Sequence, residues 1–143
     1  MSENIREPLF NLLQSVKRSL RQAYDSTDFG LSPLHYRVLK MVATRDGQVT
    51  AHDIVQQMFI DKAQLARLIK ELINLEYVTK LDNPFDKRSY FLGLSPSGAE
   101  VVDVLVIAEM KVNELMKKGL SEQDIADFTR LTTLMTQNLN QHQ

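Results

Sequence analysis

The stretch from Tyr77 to Leu94 constrains this chain more than any other. Tyr77-Val78-Thr79-Lys80-Leu81 and Ser89-Tyr90-Phe91-Leu92-Gly93-Leu94 are rich in β-branched and aromatic residues, and they flank Asp82-Asn83-Pro84-Phe85-Asp86, a cluster of turn formers. The pattern predicts one β-hairpin with a long tip. Everything on either side of it carries helical periodicity.

Ile5, Leu9, Leu12, Leu13, Val16, Leu20 and Tyr24 recur at steps of three and four, which places them on one face of a helix. Gly30 ends that segment. Helix-start chemistry then repeats: Ser32 before Pro33, Thr50 with Asp53, Asp61 with Gln64, Ser95 before Pro96, and Ser121 with Asp124. Each first-named side chain can accept a hydrogen bond from a free N–H of the first turn, and proline sits where a missing N–H costs nothing. Gly47 and Gly119 suit helix ends. Six helices are expected, at about 4–28, 32–45, 50–57, 61–75, 95–118 and 121–141. The fold class is mainly α. Residues 32–94 form a winged helix-turn-helix lobe of three helices plus a β-hairpin wing, with further helices at 1–28 and 95–143.

With 143 residues, 43% apolar and 24% charged, the chain has the length and composition of one globular domain, 1–143. The longest apolar run, Val104 to Ala108, is far below the ~20 residues that cross a bilayer. Met1-Ser2-Glu3-Asn4 begins no signal peptide, so a cytoplasmic protein with no membrane partner is expected. The absence of cysteine excludes disulfides, thiolate chemistry and cysteine-rich zinc sites. No G-x-S-x-G, H-E-x-x-H or G-x-x-x-x-G-K-S/T motif occurs, and neither an enzyme activity nor a cofactor is expected.

The formal net charge is −1, so no global cationic field favours polyanions. Residues 1–45 carry seven Lys/Arg against four Asp/Glu, residues 46–92 six against seven, and residues 93–143 four against seven. Any polyanion site must be built from a few well-placed cations. Around the helix at 61–75, Leu68, Ile69, Leu72 and Ile73 fall within about 80° of Leu65, and the five face a core. Ala63, Arg67, Lys70 and Asn74 lie opposite, with Gln64 and Glu71 on the flank. Such a face can present a guanidinium, an ammonium and carboxamides to base edges and phosphates, although wheel geometry alone favours a plain solvated face, which such charges usually form.

The hairpin tip adds Asp86-Lys87-Arg88. A wing beside a duplex needs a cation that reaches the narrow, electronegative minor groove, and Lys87 or Arg88 can supply it. Asp86 either orients one of these cations, or Arg67, through a charge-assisted hydrogen bond, or simply stabilises the turn.

Three stretches together resemble the winged helix-turn-helix of the multiple antibiotic resistance regulator (MarR) family: Asp61-Lys62-Ala63-Gln64-Leu65-Ala66-Arg67-Leu68-Ile69-Lys70-Glu71-Leu72, Asn83-Pro84-Phe85-Asp86-Lys87-Arg88 and Leu92-Gly93-Leu94-Ser95-Pro96-Ser97-Gly98. The wing pattern of Asp, a basic residue and Arg, followed by Leu-x-Leu-Ser/Thr-x-x-Gly, is fairly specific. The resemblance implies a homodimeric bacterial transcription regulator, usually a repressor, often released from DNA by a small phenolic or other amphipathic effector. It makes 61–75 the recognition helix and 82–88 the wing tip. The DNA-binding set is then Lys62, Ala63, Gln64, Arg67, Lys70, Asn74, Asp86, Lys87 and Arg88, acting on double-stranded DNA. Three departures stand out. Glu76 replaces a common Gly after the recognition helix, which leaves the turn into the hairpin free to differ; Ala66 replaces a common hydroxyl residue; and the missing cysteine excludes a thiol-oxidation switch.

The terminal segments point to a homodimer on their own account. Val101, Val102, Val104, Leu105, Val106, Ile107 and Ala108 cover more than one helix face, and Ile125, Phe128, Leu131, Leu134, Met135 and Leu139 form a further stripe. Burial against a second copy gains roughly 25 cal/mol per Å² of apolar area and spaces two recognition helices about 34 to 36 Å apart. Tyr24, His35 and Tyr36 can line an effector cavity, though a core role suits them better. Two other readings remain: a winged-helix module that binds another protein, and a metal-responsive sensor assembled from His35, His52 and His142 with acidic residues.

Overall fold

A computed structural model describes residues 3–142. Met1, Ser2 and Gln143, which belong to the expected terminal segments, lie outside the described residues. The order is α1 (Arg6–Asp25), α2 (Pro33–Thr44), α3 (Ala51–Met58), α4 (Lys62–Asn74), β1 (Val78–Asp82), β2 (Tyr90–Leu94), α5 (Pro96–Lys117) and α6 (Glu122–Asn140). β1 and β2 pair antiparallel with Val78 opposite Leu94 and Asp82 opposite Tyr90. Val49, just before α3, adds a single bridge to Leu92.

Four of the five expected caps are made. Ser32, Thr50, Ser95 and Ser121 accept hydrogen bonds from the N–H groups of His35, Asp53, Gly98 and Asp124. The fifth differs: Asp61 occupies the cap position of α4, but its side chain accepts no first-turn hydrogen bond. α1 also stops sooner than expected. Ser26 and Thr27 turn their hydroxyls back onto the carbonyls of Ala23 and Tyr24, and Asp28 and Gly30 take positive φ.

The core of the lobe gathers Tyr36, Val38, Leu39 and Val42 of α2, Ile54 of α3, Leu65, Leu68, Ile69 and Leu72 of α4, and Val78 and Leu92 of the hairpin, all buried. This is the wheel pattern of 61–75 realised. α5 extends the core by one face, through Val101, Val102 and Leu105, and α1 packs along α5. The Ser-x-x-Gly at 95–98 has a mechanical basis. Ser95 caps α5 and also bonds the carbonyl of Glu76, while a Cβ on Gly98 would stand only 2.1 Å from the Tyr77 carbonyl oxygen.

A second apolar surface remains uncovered. Among the described residues α6 buries none of its own, and Val104, Ile107 and Met110 of α5 face outward with Leu9, Phe10 and Leu13 of α1. The chain exposes 10796 Å², against about 7,500 Å² for a compact monomer of 16.4 kDa. The excess is carried by terminal helices that extend past the lobe.

Candidate nucleic-acid interface

α4 is positioned by four buried side chains on one flank, so its opposite flank is held outward by packing alone. Lys62, Ala63, Arg67, Lys70 and Asn74 are all exposed, and Gln64 is half-buried at the edge. The row expected from the wheel is therefore physically present, with two ammoniums, one guanidinium and one carboxamide on the outer surface. Ala66 is exposed beside them and offers no hydroxyl.

Glu71 is not part of that outward row. Its Oε2 lies 2.6 Å from Nε2 of His35 on α2, and its Oε1 lies 3.9 Å from Nε of Arg67. The imidazole is oriented from its other side, where Nδ1 accepts the backbone N–H of Ser32 at 3.1 Å and contacts the Ser32 hydroxyl at 2.7 Å. With Nδ1 accepting, the ring proton sits on Nε2 and is donated to the carboxylate, a charge-assisted bond. The negative charge nearest the cationic row of α4 is thus held back against α2. Among the described residues Lys62, Lys70 and Lys87 make no ion pair.

The wing tip is stiffened by its own polar side chains. Asn83 accepts the Phe85 N–H at 3.0 Å and donates to Ser89 Oγ at 3.1 Å across the turn, and the Asp86 N–H returns to the Asn83 carbonyl. Asp86 accepts both the backbone N–H of Arg88 at 2.9 Å and its Nε at 3.4 Å. The two roles considered for Asp86 are both filled, and its cation is Arg88 rather than Arg67. The Arg88 side chain is 93% exposed, so this contact aims the guanidinium without neutralising it. On β1, Lys80 stacks over the Tyr90 ring at 4.6 Å.

Backbone strain brackets α4. Phe59, between α3 and α4, has φ 54° and ψ 41°, and Glu76, just after α4, has φ 64°. The turn at Glu76 closes in a form that a glycine would adopt without strain. The N–H of Tyr77 bonds the Leu72 carbonyl and that of Glu76 bonds the Ile73 carbonyl, which is the left-handed helix stop that glycine ordinarily makes. Glu76 takes that conformation despite its Cβ.

The remaining candidates are placed as follows. Tyr24 and Tyr36 are buried with ring centroids 4.2 Å apart, in the core rather than around a cavity. Tyr24 donates to Glu109 Oε1 of α5 at 2.6 Å, and Lys40 of α2 reaches Oε2 of the same carboxylate at 2.6 Å, a link between α1, α2 and α5. Burial, reinforced by the Glu109 carboxylate, pushes the Tyr24 phenol well above its usual range, and burial raises Tyr36 as well. His35, His52 and His142 stay apart. Among the described residues no three His, Asp or Glu side chains converge as a metal site would need.

Sequence reasoning did not find the pairing of His35 with Glu71, the Asn83–Ser89 latch or the left-handed Phe59. Only the first left a local trace, a histidine three residues after a capping serine.

A model of the MarR family matches residues 29–89. No match was found among curated proteins. Among solved structures, a MarR protein from Peptoclostridium difficile superposes with a TM-score of 0.83 at 22% identity, over 99% of this chain and 91% of that one. MepR of S. aureus, solved as a DNA complex, gives 0.82 at 15% identity over 96% and 99%. A variant of MarR from E. coli, solved with operator DNA, gives 0.73 at 19% identity over 94% and 99%.

Proposed function

We propose that this chain, whose residues 29–89 match the MarR family model, is a member of that family and a homodimeric, sequence-specific DNA-binding transcriptional regulator of the bacterial cytoplasm, acting as a repressor. The observation that carries this reading is the outward cationic row of α4 beside a stiff wing that ends in Lys87 and Arg88, with the intervening carboxylates Glu71 and Asp86 already engaged. Arg67, Lys70, Gln64 and Asn74 serve the major groove and its phosphates, Lys62 and Ala63 the close approach of the helix N-terminus, and Lys87 and Arg88 the minor groove and backbone. Asp86 positions Arg88.

Dimerisation rests on the uncovered apolar surface of α1, α5 and α6. An excess of about 3,000 Å² per chain, twice that for a pair, is enough to supply the roughly 2,000 to 5,000 Å² in total that obligate homodimers hide. The terminal segments 1–28 and 95–143 are its dimerisation helices, and residues 32–94 its DNA-binding lobe. Release by a small amphipathic effector is supported by an open groove of about 350 Å³ between α2, α3 and α5, lined by Arg37, Lys40, Met41, Gln57, Met58 and Glu109. A ligand there can shift the spacing of the two lobes only by its differential affinity for two spacings.

The test is the salt dependence of binding to duplex DNA. Neutralising phosphates makes log K fall linearly with log salt concentration, and Lys87→Ala and Arg88→Ala are each expected to flatten that slope by about one unit. A slope that neither substitution changes overturns the wing assignment and favours a protein-binding module.

A further inference from the structure

We propose that Phe85 is an apolar wedge that enters the minor groove beside Arg88 and partly unstacks a base step. The inference rests on the DNA-binding reading above and goes beyond it in assigning a contact that is not electrostatic. Among the described residues Phe59 and Phe85 are the most exposed large apolar side chains, at 91% and 89%. Most of the other exposed apolar groups lie on or beside α1, α5 and α6, where the proposed second copy would cover them, and the exceptions Leu75 and Leu81 are only about half as exposed as Phe85. Phe85 has no such cover. It stands at the far end of the hairpin, after an exposed proline, where turn chemistry favours polar residues.

The tip is also built to hold the ring still. Pro84 fixes one backbone angle, the Asn83 side chain holds the Phe85 N–H, and the Asn83–Ser89 and Asp86–Arg88 bonds close the turn on both sides. A preorganised tip loses little entropy on insertion, which is the main cost of burying a flexible loop against a ligand. Lys87 and Arg88 follow directly, so a groove that attracts these cations receives the phenyl group with them. Apolar side chains that enter the minor groove characteristically open one step, and pyrimidine–purine steps yield most easily.

The full-length chain is used to recover duplexes from a random-sequence pool, and 2-aminopurine is placed in turn at each step of the protected minor groove. Binding is expected to raise the fluorescence at one step under the wing. Phe85→Ala abolishes the rise and weakens binding about tenfold with the salt slope unchanged, because no charge is lost; Phe85→Leu keeps part of both effects. Arg88→Ala, in contrast, lowers the slope. Wild-type binding with an Arg88-dependent slope but no Phe85-dependent fluorescence or affinity overturns the wedge and leaves the regulator reading standing. A pool from which no duplex is recovered overturns both.

Discussion

Nε2 of His35 lies 2.6 Å from Oε2 of Glu71, across 36 residues of sequence, and so joins the first turn of α2 to the flank of α4. The same imidazole closes the capping box of α2 through Ser32. One side chain thereby fixes the start of one helix and draws a carboxylate away from the cationic row of another. Glu71→Gln is expected to tighten duplex binding severalfold, because a negative charge near the phosphates is lost and Arg67 is freed. It should also lower stability by about 1 kcal/mol, as a charge-assisted bond becomes a neutral one. Binding isotherms and urea unfolding of the same variant read both effects; weaker binding in a folded variant would refute this role for Glu71.

Glu76 and Phe59 adopt left-handed backbone conformations that cost a residue with a Cβ roughly 1 kcal/mol. Both are exposed, so neither offsets that cost by packing. Glu76→Gly should raise the free energy of unfolding by about 0.5 to 1 kcal/mol and leave the hairpin register intact. Chemical denaturation checks it, and a destabilised Glu76→Gly variant would contradict the assignment of strain.

Tyr24 is buried against Glu109, and its phenol is held neutral far into the alkaline range. In the unfolded chain it ionises near its ordinary value of 10.0. Above that pH the unfolded state has lost a proton that the folded state keeps, so stability is fully present below about pH 10 and falls as the pH rises. By about pH 11 the wild type should have lost about 1.4 kcal/mol more than Tyr24→Phe, relative to each protein at pH ~8. Equal losses in the two proteins would show that Tyr24 ionises as readily folded as unfolded.

Leu134 is half exposed on α6, a helix none of whose described residues is buried. Leu134→Arg therefore disturbs no interior of the lobe, yet it puts a charge into the proposed subunit contact. Sedimentation at micromolar concentration should show the wild type as a dimer and the variant shifted to single chains, with an unchanged far-ultraviolet helix signal. A monomeric wild type would remove the basis for paired recognition helices.

Much of this architecture was legible in the sequence because it is encoded locally. Ser32, Thr50, Ser95 and Ser121 cap the helices they announce, and the wheel of 61–75 separates buried Leu65, Leu68 and Leu72 from exposed Arg67 and Lys70. Asp61 shows the limit of that logic, since it occupies a cap position without making the bond. What escaped the sequence is mostly non-local. His35 and Glu71 meet only because α2 and α4 pack together, and the Tyr24–Glu109–Lys40 link ties the neighbouring helices α1 and α2 to α5, far along the chain. The Asn83–Ser89 latch lies within one turn, but composition marks both residues only as turn formers. Phe59 escaped for another reason: no aromatic signals a left-handed backbone, and only the tight passage from α3 to α4 demands it.

Selection of bound fragments from random duplex DNA tests the central claim most directly. Two copies of α4, related by the symmetry of a dimer, are expected to enrich an inverted repeat whose half-sites are centred about 10 to 10.5 base pairs, or a multiple of that, apart. Enrichment of a single unpaired half-site, or of no sequence at all, would contradict the account.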